Sequence, residues 1–251
     1  MKYHLRRQKM KITKCKDPKE LGMCAAKLTA EKINEAIAER GEARIVLSTG
    51  ASQFDTLASL VKEKIDWSCV EMFHLDEYVG LSETHPASFR KYLKERFTEI
   101  VPLKCAHFVD GNDPEAAIKA LTEEITKAPI DVALIGVGEN AHIAFNDPPA
   151  DFDTKESYII VNLDERCRMQ QVGEGWFENI DAVPKQAVSM TCFRIMQSKT
   201  IISAVPYKVK ANAIKLMLEN GVTNEIPATL LKTHEDMYLF VDEDSAADTV
   251  K

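Results

Sequence analysis

Apolar residues along the chain fall into two alternating rhythms. Short runs rich in branched side chains, such as 44–48 (RIVLS), 69–74 (CVEMFH), 131–138 (DVALIGVG) and 200–205 (TIISAV), contain stretches that are apolar at consecutive positions, the pattern of strands covered on both faces. Between them lie segments with an apolar side chain every three or four residues, the period of a helix with one buried side. The first opens on Asp17-Pro18, carries Leu21, Ala25, Leu28 and Ile33, and stops at Gly41. Further strands are predicted at 10–15, 106–110, 158–163, 187–191 and 237–242. Further helices are predicted at about 53–64, 89–97, 114–128 and 208–220, with a short one after 163. The stretches 75–88 and 146–153 are polar and are predicted as loops.

Strand and helix alternate from end to end, and no linker, repeat or charge block divides the chain. The expectation is an α/β fold: a single Rossmann-like domain over 1–251, doubly wound around a mostly parallel sheet with helices on both faces. At 251 residues and 45% hydrophobic content, a sizeable core forms without disulfides or a structural metal.

Charge and cysteine usage narrow the function classes. With 32 basic against 39 acidic side chains, net −7, the chain lacks the footprint of a nucleic-acid binder. No apolar stretch approaches the ~20 residues that span a bilayer. The basic start has no apolar block after it, so no secretory signal is expected. Six cysteines are scattered without a Cys-x-x-Cys pair, and six histidines make no His-x-His or His-x-x-x-His pair. Reduced thiols in a cytoplasmic protein are the expectation, with no metal and no organic cofactor.

Open α/β sheets bind ligands where strands end, and three predicted strand ends carry polar turns. Ser48-Thr49-Gly50-Ala51-Ser52 offers small residues and hydroxyls just before a helix, suited to a phosphate; a helix cap explains the same residues. Asp76-Glu77-Tyr78 places adjacent carboxylates after a buried strand, where one can face a crevice as a base while the other turns away. A solvated acidic loop is the plainer explanation. The third turn runs from Gly136 and Gly138 to Asn140, His142 and Asp147. It matches a dinucleotide-binding glycine pattern only superficially, since no helix follows. A histidine beside a carboxylate can instead be held in one tautomer for proton transfer. Elsewhere, Trp176-Phe177 is read as a packing anchor or a lid, and His234 as structural. The arginines on either side of Cys167 are expected to lower its thiol pKa.

The segments STGAS, FHLDEYVGL followed by HPASF, GVGENAHIAFNDPP and VPKQAVSMT together resemble the glucosamine-6-phosphate deaminases, which are related to the 6-phosphogluconolactonases. The resemblance implies a hexosamine 6-phosphate as the small-molecule partner, ring opening, proton transfer from C2 to C1, and release of ammonia to leave a ketose 6-phosphate. It implies Asp76 as the base, His142 as the ring-opening group, Asp147 as its support, and Asn140 in the histidine loop. Substrate and phosphate contacts fall to Ser48, Thr49, Gly50, Ala51 and Ser52, with Tyr78, Gly136, Gly138, Arg168 and Lys210. No metal or cofactor is implied, because the substrate's own carbonyl takes the developing charge.

Four departures from the family pattern stand out. Asn140-Ala141 replaces Asp-Gly, which removes a negative neighbour and should lower the histidine pKa. Asp147 replaces a glutamate and shortens the reach by about one methylene. TGAS replaces TGGT, and Gln171 aligns with a phosphate-binding arginine, with Arg166 and Arg168 nearby. The basic residues of an allosteric activator site are not found, and a homo-oligomer is left open. Two alternatives to a deaminase remain: a lactonase using water near His142, and a sugar-phosphate sensor with impaired chemistry.

Overall fold

The computed structural model describes residues 10–173 and 175–249. Residues 1–9, which carry most of the basic start, lie outside the described residues. Among the described residues ten strands are formed: β1 Lys11–Cys15, β2 Ala43–Leu47, β3 Val70–His74, β4 Asp76–Tyr78, β5 Cys105–His107, β6 Val132–Leu134, β7 Tyr158–Asn162, β8 Gln186–Met190, β9 Thr200–Val205 and β10 Met237–Asp242. Seven α-helices accompany them among the same residues: α1 Pro18–Arg40, α2 Phe54–Leu60, α3 Phe89–Leu93, α4 Pro114–Ile125, α5 Glu165–Gly173, α6 Cys192–Ile195 and α7 Ala211–Glu219. Among the described residues no helix is long and apolar enough to cross a membrane.

The main sheet has seven strands in the order β1-β10-β9-β6-β2-β3-β5, and every neighbouring pair is parallel. Consecutive apolar residues explain its two covered faces. Val46, Phe73, Ala133, Ile135 and Ile201 pack to one side with Leu121 of α4 and Ile214 of α7. Ile45, Leu47, Met72, Leu134 and Ile202 pack to the other with Leu21 and Ile33 of α1 and Leu57 of α2.

Local signals set the helix ends. Asp17 accepts the Glu20 N–H at 2.8 Å, and Gly41, at φ 82°, donates its N–H to the Ile37 carbonyl at the other end of α1. The end of α4 depends on a distant side chain. The buried Arg44 guanidinium donates to the carbonyls of Glu124 at 2.6 Å, Ile125 at 3.2 Å and Ala128, placing a cation on the negative end of the helix.

Three predicted segments take other places. The stretch 75–88 is not wholly loop: Asp76–Tyr78 forms β4, which pairs antiparallel with β8, and β8 pairs antiparallel with β7. The predicted strands at 158–163 and 187–191 therefore form a second, three-stranded sheet instead of extending the first. Tyr158 and Val188 of that sheet pack into the main core, doing there what a covering helix would do.

Strands leave β2 in one direction, through β3 to β5, and return to β6 on its other side before continuing to β9 and β10. The switch point lies between β2 and β6. Chain segments depart there to opposite sides and leave a crevice beyond the carboxyl ends of the strands.

Replacing Arg44 by Met should uncap α4 and lower unfolding free energy by about 2 kcal/mol, measured as a lower urea midpoint with an unchanged slope. An unshifted midpoint would deny the clamp its role.

Candidate active site

A cleft of about 1500 Å³ opens at the switch point. Ser48, Thr49, Gly50, Ala51 and Ser52 form one wall after β2. Gly136, Gly138, Asn140 and His142 form another after β6. Asp76 enters from the end of β3, and Lys210 from the turn that precedes α7. Four neighbouring strands, β9, β6, β2 and β3, thus deliver the polar groups to one place.

The phosphate-like turn is fixed from several sides. Gly50 adopts φ 99°, a conformation that favours glycine, and its carbonyl accepts the Tyr92 hydroxyl at 2.9 Å. Gln53 donates from Nε2 to the Ala204 carbonyl at 3.0 Å, tying the turn to β9. The Ser48 Oγ is buried without a hydrogen-bond partner.

The adjacent carboxylates divide their work by strand alternation. Glu77 is fully buried away from the cleft. It accepts N–H groups of Tyr78, Phe89 and Arg90 at 2.9, 3.3 and 2.8 Å, and the Ser88 hydroxyl at 2.9 Å. Those donors include the first turn of α3, so Glu77 is a helix anchor. Asp76 lines the cleft, and among the described residues no donor satisfies its carboxylate. Burial, together with the negative charge of Glu77, pushes its pKa up to about 8. Burial raises Glu77 too, against the pull of its hydrogen bonds, and those donors make Glu77 the better holder of charge. The solvated acidic loop is thereby excluded.

His142 is held from behind. Its Nδ1 lies 2.9 Å from Oδ1 of Asp147, and Asn140 donates from Nδ2 to the same oxygen at 3.2 Å. Asn140 also accepts the His142 N–H at 3.1 Å. Although burial opposes it, these contacts hold the Asp147 carboxyl below its usual range. Gly138 makes room for the ring: a Cβ there would stand 2.3 Å from Cε1 and Nε2 of His142. Ala141 and Ala144 take φ 66° and 50°, and Tyr207, beside Lys210, takes φ 81°. Left-handed backbone at residues other than glycine thus gathers around the cleft, as it does at functional sites.

Several sequence expectations change. Tyr78 does not line the cleft; it is buried in an aromatic group, its ring 5.2 Å from Phe145 and 5.7 Å from Phe177. Arg168 points elsewhere, donating to the carbonyls of Ile180 at 2.5 Å and Val183 at 3.3 Å; Arg166 lines the cleft in its place. Cys167 is buried, and burial, reinforced by the charge of Asp147, raises its thiol pKa instead of lowering it. Phe177 packs inside while Trp176 lines the cleft. His234 is structural, its Nε2 2.8 Å from the Ser198 carbonyl. Sequence reasoning missed Gln53 and Tyr207, since neither belongs to a recognisable pattern.

Residues 16–239 match the model of the glucosamine-6-phosphate isomerases/6-phosphogluconolactonase family. The chain belongs to this family. Glucosamine-6-phosphate deaminase 1 of Bacillus subtilis is 32% identical, over 95% of this chain and 99% of its own. A glucosamine-6-phosphate deaminase of Streptococcus equi subsp. zooepidemicus is 33% identical with the same coverage. Among solved structures, a monomeric glucosamine-6-phosphate deaminase superposes with a TM-score of 0.87 at 30% identity, over 95% of this chain and 99% of that one. The 6-phosphogluconolactonase of Trypanosoma brucei shares the fold, with a TM-score of 0.80 at 17% identity, over 96% and 99%.

Two outcomes test the geometry of this family site without any substrate. Between pH 3.8, the ordinary carboxyl value, and about 8, folded Asp76 keeps a proton that the unfolded chain has released. Its contribution to stability therefore falls as pH rises through that window. Asp76→Asn should be more stable than the parent by about 1–3 kcal/mol once pH passes about 8, with the gap closing toward pH 4; urea unfolding across pH measures it. Gly138→Ala should drive the imidazole off Asp147, shifting the His142 ring resonances in NMR and costing about 1–3 kcal/mol. Unmoved resonances would contradict the packing.

Proposed function

We propose that the chain is a hexosamine-6-phosphate deaminase that converts glucosamine 6-phosphate and water to fructose 6-phosphate and ammonia. The observation that carries this reading is the division of the two adjacent carboxylates, which leaves Asp76, and not Glu77, in a cleft shared with His142 and Lys210. The deaminases above 30% identity support the same reaction; the lactonase likeness, at 17%, speaks for fold alone.

The phosphate dianion sits against the 48–52 turn with the Lys210 ammonium, and Arg166 supplies a second cation. Anchoring the phosphate fixes the position of the carbon atoms at the other end of the sugar. Ring opening requires a proton to leave the C1 hydroxyl and one to reach the ring oxygen, work suited to an imidazole held by Asp147 and Asn140. Asp76 is protonated in the empty cleft at neutral pH. The substrate's amino group, as ammonium, favours its ionised form, so the base is generated where it is used.

Asp76 then takes the C2 proton while the electron pair passes to the C1 carbonyl, whose oxygen takes up a proton released by the ammonium, giving an enolamine. Return of the proton to C1 leaves an imine at C2, and water releases ammonia from it. Six unpaired thiols and the absence of a membrane-crossing helix among the described residues support a cytoplasmic setting.

The test is a panel of hexosamine 6-phosphates assayed for ammonia and ketose phosphate. Glucosamine 6-phosphate should turn over. Asp76→Asn should lower kcat by about 10²–10⁴ with KM little changed, and Lys210→Met should act mainly on KM. Binding without turnover across the whole panel would convert the reading to a sensor; lactone hydrolysis alone would convert it to a lactonase.

A further inference from the structure

The fold places Cys167, on α5, behind the histidine loop. One ligand atom from each of His142, Asp147 and Cys167 lies within 4.8 Å of the other two. The three residues share no metal-ligand spacing in the sequence; only the approach of α5 to the 136–148 loop assembles them.

The three side chains already engage one another. The Asp147 side chain is nine-tenths buried, and it hydrogen-bonds to the Cys167 thiol on one side while the His142 ring stands 2.9 Å away on the other.

We propose that His142, Asp147 and Cys167 form a site for a borderline-soft divalent cation of the zinc type, and that its occupancy switches the enzyme off. Nitrogen, oxygen and sulfur donors at about 2.0–2.3 Å are the ordinary tetrahedral set for zinc. The three side chains supply three of the four positions of such a site. On binding, the thiol loses its proton to solvent, and the imidazole proton moves from Nδ1 to Nε2 as the metal takes Nδ1. A hard cation such as magnesium lacks affinity for this sulfur-containing set. Inhibition rests on the deaminase reading, because the ion would occupy the support of His142; the binding itself does not.

The experiment uses the full chain, freed of metal by a chelator that is then removed, and titrated calorimetrically with Zn²⁺, Co²⁺ and Mg²⁺. One Zn²⁺ per chain should bind with a micromolar or tighter dissociation constant, and Mg²⁺ should give no heat of binding. Co²⁺ should produce a thiolate-to-cobalt charge-transfer band in the near ultraviolet. Cys167→Ser should weaken Zn²⁺ binding by at least about tenfold and abolish the band; Asp147→Asn, a second and independent variant, should also weaken binding. Equal affinity in the parent and both variants, or a cobalt complex without the thiolate band, overturns the site. In the activity arm, Zn²⁺ should inhibit the parent reversibly and spare Cys167→Ser, whose zinc-free rate should match the parent. Stoichiometric binding at this site without inhibition overturns the switch, whereas failure of every hexosamine phosphate in the metal-free parent overturns the deaminase reading and leaves the binding result standing.

Discussion

Two carboxylates that follow a buried strand cannot both carry charge at low dielectric without compensation. In this molecule the compensation goes to Glu77 alone. Three backbone N–H groups and the Ser88 hydroxyl converge on it, so the first turn of α3 is built around a carboxylate from a neighbouring strand. Asp76 receives no such donors and stands beside a charge. The consequence is a proton-holding aspartate at a cleft edge, with a pKa near 8 and no structural duty of its own. The difference between one residue as anchor and the next as the proposed base arises from the alternation of side chains along β4, a three-residue strand.

That strand in turn depends on the small antiparallel sheet. β4 pairs with β8, and the histidine loop is moored to the same strand: the Phe145 N–H donates to Ser189 Oγ at 3.1 Å, and Asn146 donates to the Met190 carbonyl at 2.9 Å. Asp76 and His142 are therefore referenced to one piece of backbone, although they follow different strands of the main sheet. The left-handed Ala141 is bonded to Gly138 and to Ala228. Angstrom-scale precision at a reacting centre requires such shared supports more than it requires any individual contact.

Much of this was legible beforehand. The β-α alternation, the capped α1, the consecutive apolar residues of β2 and β9, and the three polar turns at strand ends all follow from local rules, because period and capping are properties of neighbouring residues. Asp76, His142 and Lys210 were found by motif and lie together as expected. Errors arose where a long-range partner decided the outcome. Asp76–Tyr78 looked like loop because its strand partner, Gln186–Met190, lies more than a hundred positions away. Arg168 looked like a phosphate ligand until the carbonyls of Ile180 and Val183 claimed its guanidinium. Cys167 looked activated by flanking arginines, but sequence neighbours on a helix point in different directions, and its spatial neighbours are Asp147 and Asp164.

The sequence by itself determined the fold class, the polar turns at strand ends and the residue types present there, since these depend on periodicity and on local pattern. The tertiary structure alone decided which of two adjacent acids is neutral, which arginine reaches the cleft, and which thiol meets the histidine–aspartate pair. The physical reason is common to all three. Protonation, orientation and ligation are set by the field and the donors within a few ångströms, and in this chain those come from residues remote in sequence.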